Sequence, residues 1–197
     1  MKSIESVVIG GSAGAIDALL TLLPLLPKDF DLPVVVVVHL APDKPSYMPE
    51  VLGSRTHLRV KEAEDKEPLE RGHLYVAPPN YHLLIERDRS FSLSMDAPLH
   101  FSRPAIDVTF DSAADVFAER LVGVLLSGAN EDGAAGLARI VDRGGTILIQ
   151  RPSTAAALAM PEAALAATHD NHVLSPPEIG TFLGRLAKSI QRMDGRQ

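Results

Sequence analysis

Three polar residues stand where apolar runs stop. Ser12 follows Val7-Val8-Ile9-Gly10-Gly11, and His39 follows the five valines Val34 to Val38. Asp132 lies in Ser127-Gly128-Ala129-Asn130-Glu131-Asp132-Gly133, just past the run Leu121 to Leu126. An alcohol, an imidazole and a carboxylate are the parts of a nucleophilic hydrolase. A serine is a weak nucleophile alone and needs a base within hydrogen-bond reach. The base needs a third group that fixes its tautomer and stabilises the imidazolium. In this reading Ser12 attacks, His39 takes its proton and Asp132 orients His39. Small neighbours, Gly11, Ala13 and Gly14, expose the hydroxyl on a tight turn. The helix that follows aims its first N–H groups, chiefly that of Ala13, at a developing oxyanion.

The same residues have plainer readings. A glycine-rich turn between strand and helix can wrap a phosphate. Here, however, Gly10 to Ala15 misses the G-x-G-x-x-G spacing, and the second strand ends in His39 where a ribose-binding acid is expected. No Lys-Ser or Lys-Thr follows for a Walker-type loop. Ser12 can serve only as a helix N-cap, His39 as a polar strand end, and Asp132 as a first-turn carboxylate. Shared placement favours the joint reading, because all three lie at the C-terminal tips of apolar strands, where α/β sheets collect function.

Other candidates are weaker. Ser127 is a second serine at a strand end, but its neighbours suit a structural turn. Arg103 and Asp107, at i and i+4, read as a surface ion pair. His169 and His172 lie in His-Asp-Asn-His, which reads as a loop and not as a metal site. His57, His73, His82 and His100 show no partner pattern. The run Lys61 to Glu67 reads as a solvated connection.

These residues need a scaffold. Ser6 to Ile9, Val34 to His39, Leu121 to Leu126 and Thr146 to Gln150 read as strands. The valine run has no polar alternation, which predicts burial on both faces, as in a parallel sheet. Helices are expected over Ile16 to Leu26, Tyr47 to Ser54, Ile106 to Glu119, Asp132 to Arg143, Met160 to Ala167 and Pro177 to Met193, with Gly144-Gly145 as a stop signal. Short strands over Gly72 to Ala77, Tyr81 to Arg87 and Phe91 to Met95 form a small antiparallel insert. The alternation predicts an α/β fold with a doubly wound, mostly parallel sheet and helices on both faces. One domain over residues 1–190 with a polar tail over 191–197 is expected.

Composition narrows the function classes. The 197 residues carry a formal net charge of −6, which argues against nucleic acid as a partner. No apolar run reaches membrane-span length, and the N-terminus lacks signal-peptide regions. The chain has no cysteine, so disulfides, thiol catalysis and cysteine-bound zinc are excluded. No cofactor or metal is expected, and the composition fits a cytoplasmic protein.

Ile9-Gly10-Gly11-Ser12-Ala13-Gly14, the Val-Val-His39 strand end and Leu126-Ser127-Gly128-Ala129-Asn130-Glu131-Asp132-Gly133-Ala134-Ala135-Gly136 resemble the three signature segments of the CheB family. These are the catalytic domains of chemotaxis protein-glutamate methylesterases. Lesser matches are Leu74 to Leu83, Ser102 to Asp107 and Met160 to Ala164, and the resemblance spans about Val7 to Leu186. It implies a Ser–His–Asp triad of Ser12, His39 and Asp132, acting on methyl esters of glutamate side chains in cytoplasmic chemoreceptor helices. Some members also deamidate receptor glutamines. The implied oxyanion donors are the Ala13 N–H and one from the turn at Gly128 to Glu131, with Ala129 and Asn130 as candidates. This chain departs from the family pattern. Ala13 and Ala15 replace Thr and Gly, and Ala129-Asn130 replaces Met-Gly. The receiver domain of the family is not in this sequence, so a standalone member or a piece of a longer protein is expected. The competing readings are a non-catalytic adaptor of the same fold and, less favoured, a small-molecule nucleotide binder.

Overall fold

The computed structural model describes residues 3–39, 46–169 and 172–194. Its centre is a parallel sheet of seven strands. In chain order these are β1 (Ser6–Gly11), β2 (Val34–Val38), β3 (Arg59–Glu62), β4 (His73–Val76), β7 (Leu121–Leu125), β8 (Thr146–Gln150) and β9 (His172–Leu174). Their spatial order is β3-β4-β2-β1-β7-β8-β9. A separate antiparallel pair is formed by β5 (His82–Ile85) and β6 (Phe91–Ser94).

The valine run explains the sheet's burial. Val34, Val36 and Val38 point into one core and Val35 and Val37 into the other, as the period of two along a strand requires. All five are buried, and each such side chain contributes about 1.5–3 kcal/mol relative to exposure. On the first face pack α1 (Ala15–Leu22), α2 (Met48–Gly53) and α6 (Pro176–Asp194). The second face carries α3 (Ile106–Phe117), α4 (Ala134–Asp142), α5 (Ala159–Ala167) and the antiparallel pair. The doubly wound sheet with helices on both faces and a small antiparallel insert is therefore observed.

Several expected elements shift. The first helix ends at Leu22, and Pro24 sits in a 3₁₀ turn at Leu23–Leu25, because proline supplies no N–H to continue an α-helix. α4 begins at Ala134, not Asp132, because Gly133 at φ +91° sets its start. The solvated connection at Lys61 begins as the edge strand β3, whose polar side chains suit an edge. β9 was not expected. Its first residue, His172, rests on Phe182 of α6 with ring centroids 4.9 Å apart. His169 is exposed, and residues 170–171 and 195–197 lie outside the described set.

Register positions the site. Gly11 pairs with Val38, and Gly10 with Leu125. The chain leaving β1 crosses to β2 by way of α1, and the chain leaving β7 crosses to β8 by way of α4, in the opposite direction and on the opposite face. This is a topological switch point, and the crevice beyond it receives the residues following β1, β2 and β7.

Candidate active site

Ser12 leaves β1 half-exposed, with its N–H donated to the Ser127 carbonyl at 2.9 Å and its carbonyl accepting from Ala15 N–H at 3.0 Å. The chain then turns into α1 through Gly14 at φ +81°. A Cβ on Gly14 would lie 2.5 Å from that of Ala156, so both conformation and space demand glycine. Ser127 is fully buried, and its hydroxyl donates to the Ala13 carbonyl at 2.6 Å while accepting from Ala157 N–H at 2.9 Å. Its hydroxyl clamps the serine turn, which removes Ser127 as a second nucleophile.

His39 extends from β2, its N–H reaching the Gly11 carbonyl at 3.4 Å. Its Nε2 lies 2.8 Å from Asp132 Oδ2. Asp132 is fully buried and also accepts the Ile106 N–H at 2.7 Å and the Asp107 N–H at 2.9 Å, at the start of α3. Burial pushes its carboxyl up, but the His39 bond and those backbone donors outweigh burial and hold it below the usual carboxylate range. An ionised Asp132 fixes the proton of neutral His39 on Nε2, so Nδ1 carries the free lone pair.

Ser12, His39 and Asp132 thus share one edge of the sheet, with His39 and Asp132 directly bonded. Among the described residues the Ser12 hydroxyl makes no hydrogen bond. His39 Nδ1 faces the Ser102 hydroxyl at 3.3 Å. Ser102 was not singled out by sequence reasoning. Only its place beside Arg103-Pro104, in a stretch with family resemblance, could have drawn attention to it.

The loop bearing Ser102 is tied down at many points. Buried His82 accepts the Ala105 N–H at Nδ1, 3.1 Å away, and its Nε2 therefore donates to the Ala97 carbonyl at 3.1 Å. His100 lies 3.2 Å from Asp107 Oδ2 and 3.3 Å from Glu131 Oε1. His82 and His100 are thus partnered, which their local sequence did not reveal. The expected Arg103–Asp107 pair does not form. Arg103 precedes α3, which starts at Ile106, so no helical i,i+4 geometry exists between them. Its guanidinium holds Asn80 Oδ1 at 2.7 Å and the Met95 carbonyl at 2.8 Å. Asp107 instead accepts the Gly136 N–H at 2.7 Å.

A cavity of about 300 Å³ opens beside the histidine, lined by His39, Asn80, Phe101, Ser102 and Arg103. In the turn after β7, Ser127 N–H binds Gln150 Oε1 at 2.8 Å, Gly128 N–H binds the Ala157 carbonyl at 3.3 Å and Asp132 N–H binds Asn130 Oδ1 at 3.3 Å. Among the described residues, the N–H groups of Ala13, Ala129, Asn130 and Glu131 make no such bond. Gly128 is thereby removed from the pool of oxyanion donors. One atom each of His100, Asp107 and Asp132 lie within 4.8 Å of one another, a spacing a cation could bridge. Yet Asp132 already accepts three hydrogen bonds, and His100 and Asp107 engage each other.

The family description CheB methylesterase matches residues 7–183. The chain belongs to the CheB methylesterase family. A protein of Leptospira interrogans, named provisionally as a protein-glutamate methylesterase/protein-glutamine glutaminase, is 46% identical over 92% of this chain and 94% of its own length. A Thermotoga maritima protein-glutamate methylesterase/protein-glutamine glutaminase is 34% identical over 85% of this chain and 50% of its own length. The crystal structure of the Thermotoga maritima CheB methylesterase catalytic domain superposes with a TM-score of 0.88 at 33% identity, over 94% of this chain and all of that one. The CheB assignment makes the protein a member of a hydrolase family. No described helix is long and apolar enough to cross a membrane.

Proposed function

We propose that the protein is a serine esterase that removes methyl esters from glutamate side chains of a protein substrate, with methylated chemoreceptor helices as the substrate class. Ser12 is the nucleophile, His39 the base and Asp132 its orienting acid. The observation that carries this reading is the 2.8 Å His39–Asp132 bond at the sheet edge that also bears Ser12, in a chain of the CheB family.

The proton inventory sets the mechanism. With Nε2 committed to Asp132, His39 Nδ1 takes the Ser12 proton as Oγ attacks the ester carbonyl. The oxyanion falls to the Ala13 N–H and to one N–H among Ala129, Asn130 and Glu131, at the positive end of α1. Collapse expels methanol, which takes the proton from Nδ1, and leaves the glutamyl group on Ser12. Water, deprotonated by Nδ1, then attacks the acyl-enzyme. Ser12 Oγ leaves with that proton, and free glutamate remains on the substrate. A glutamine amide would follow the same route with ammonia leaving. The Ser12–His39 contact must close when substrate binds, as catalytic hydrogen bonds commonly tighten in the complex.

The test is methanol release from a methylated receptor together with fluorophosphonate labelling. Ser12→Ala should abolish labelling and lower turnover by about 10⁴-fold or more. Wild-type turnover by that variant would overturn the enzymatic reading.

A further inference from the structure

Leu99 and Ser102 exchange two backbone hydrogen bonds, Leu99 N–H to the Ser102 carbonyl at 3.1 Å and Ser102 N–H to the Leu99 carbonyl at 2.9 Å. Between them His100 and Phe101 both adopt positive φ, +50° and +59°. Positive φ at both central residues is the signature of a two-residue hairpin turn that strongly prefers Asn-Gly, since L side chains strain there. Here the pair is a histidine and a phenylalanine, two poor choices for the backbone. Such strain persists only where surrounding contacts over-determine it. They do so at His100, whose ring reaches Asp107 and Glu131 and whose carbonyl accepts from Ser102 Oγ at 3.3 Å and Asn130 Nδ2 at 3.4 Å. Phe101 gains nothing comparable, because its ring is fully exposed at 105%.

Phe101 is thus held at a backbone cost, in water, one residue from the hydroxyl that touches His39, and at the mouth of the cavity that His39 lines. It is not isolated. Met95, Leu99 and Phe101 are three of the seven exposed large apolar side chains among the described residues.

We propose that Phe101 is a specificity-determining residue, which receives an apolar side chain of the substrate polypeptide next to the esterified glutamate. The proposal rests on the esterase reading above and adds what that site selects. An ester on a small molecule has no flanking polypeptide and gains nothing from Phe101. A polypeptide can carry an apolar side chain beside the esterified glutamate, and Phe101 converts such a neighbour into binding energy.

Phe101→Gly tests this without threatening the fold, because glycine is the residue that the backbone prefers at this position. Methanol release from a methylated receptor fragment and from methyl acetate would be measured side by side. The ratio of receptor to small-ester kcat/KM is expected to fall by about tenfold or more, through KM for the receptor, while the urea midpoint rises. Phe101→Leu should recover most of the ratio. An unchanged ratio in Phe101→Gly, with wild type active on both esters, overturns this proposal alone. A wild type inert toward both esters overturns the esterase reading and this proposal with it.

Discussion

His39 turns its Nε2 toward Asp132 Oδ2, 2.8 Å away, and so leaves Nδ1 facing the Ser102 hydroxyl at 3.3 Å. The direction of that ring follows from α3. Ile106 and Asp107 give their N–H groups to the Asp132 carboxylate, which satisfies two of the donors that a helix start leaves unpaired. A buried anion so well supplied with donors stays ionised and holds one proton on Nε2.

The first prediction follows from this pairing. Asp132→Asn keeps the shape but replaces one acceptor oxygen with an NH₂ donor. The imidazole then loses its tautomer control and its counter-charge. A kcat loss of about 10⁴-fold is expected, in line with the cost of the same change in a serine protease triad. Steady-state hydrolysis of a receptor fragment measures it. A loss below about tenfold would mean that Asp132 does not orient the base.

Two neighbouring carboxylates should give opposite pH signatures. Asp132 lies below its ordinary value, so its stabilising contribution is present above the unfolded pKa of about 3.9 and fades as pH falls through the lower folded value. Asp107 is raised, first by burial and then by the Asp132 charge, against the pull of the Gly136 N–H and His100. Its ionised form therefore costs stability above its folded pKa, and the penalty vanishes below the unfolded one. Urea midpoints across pH 3–7 should show Asp132→Asn destabilised at neutral pH and converging on wild type in acid. Asp107→Asn should be at least as stable as wild type at neutral pH and gain nothing at pH 3. A neutral-pH loss of stability in Asp107→Asn would break the pattern.

Ser127 tests the scaffold behind the nucleophile. Its buried hydroxyl joins the Ala13 carbonyl to the Ala157 N–H. Ser127→Ala strands both groups, at a cost of about 1–3 kcal/mol each where water cannot reach them. The expected result is a lowered urea midpoint together with reduced fluorophosphonate labelling of Ser12, because the Ala13 donor loses its anchor. Labelling at the wild-type rate in a destabilised variant would show that the turn holds its shape without the clamp.

The parallel sheet was legible because its strands are unmixed apolar runs, and the valines of β2 carry that signal by themselves. The placement of Ser12, His39 and Asp132 past three strand ends was legible because each interrupts or follows such a run. Apart from His39–Asp132, contacts made across the chain were not. His100 and Ser102 sit in a turn whose residues, His-Phe, carry no turn signal, so nothing local announced a positive-φ pair. The expected Arg103–Asp107 contact failed because i,i+4 spacing means adjacency only inside a helix, and α3 begins three residues after Arg103. β9 escaped because three residues are too few for a period to register.

Ser102 yields the sharpest remaining test. Neutral His39 carries its proton on Nε2, so the Ser102 hydroxyl must donate into the Nδ1 lone pair, 3.3 Å away. In the proposed mechanism His39 takes the Ser12 proton, and Nδ1 then becomes a donor from which Ser102 Oγ can accept. The Ser102 hydrogen then turns to the His100 carbonyl, also 3.3 Å away. One hydroxyl serves both protonation states of the base, and Ser12 must displace it to react. A hydrogen bond of this kind is worth about 1 kcal/mol net and is lost before the transition state, so Ser102→Ala should raise kcat/KM by up to about fivefold, and Ser102→Thr should reverse the gain. Fluorophosphonate should still label Ser12 in the Ala variant. If Ser102→Ala instead abolishes labelling and costs about 10³-fold or more, the hydroxyl that already touches His39 is the nucleophile, and Ser12 is only the turn beside it.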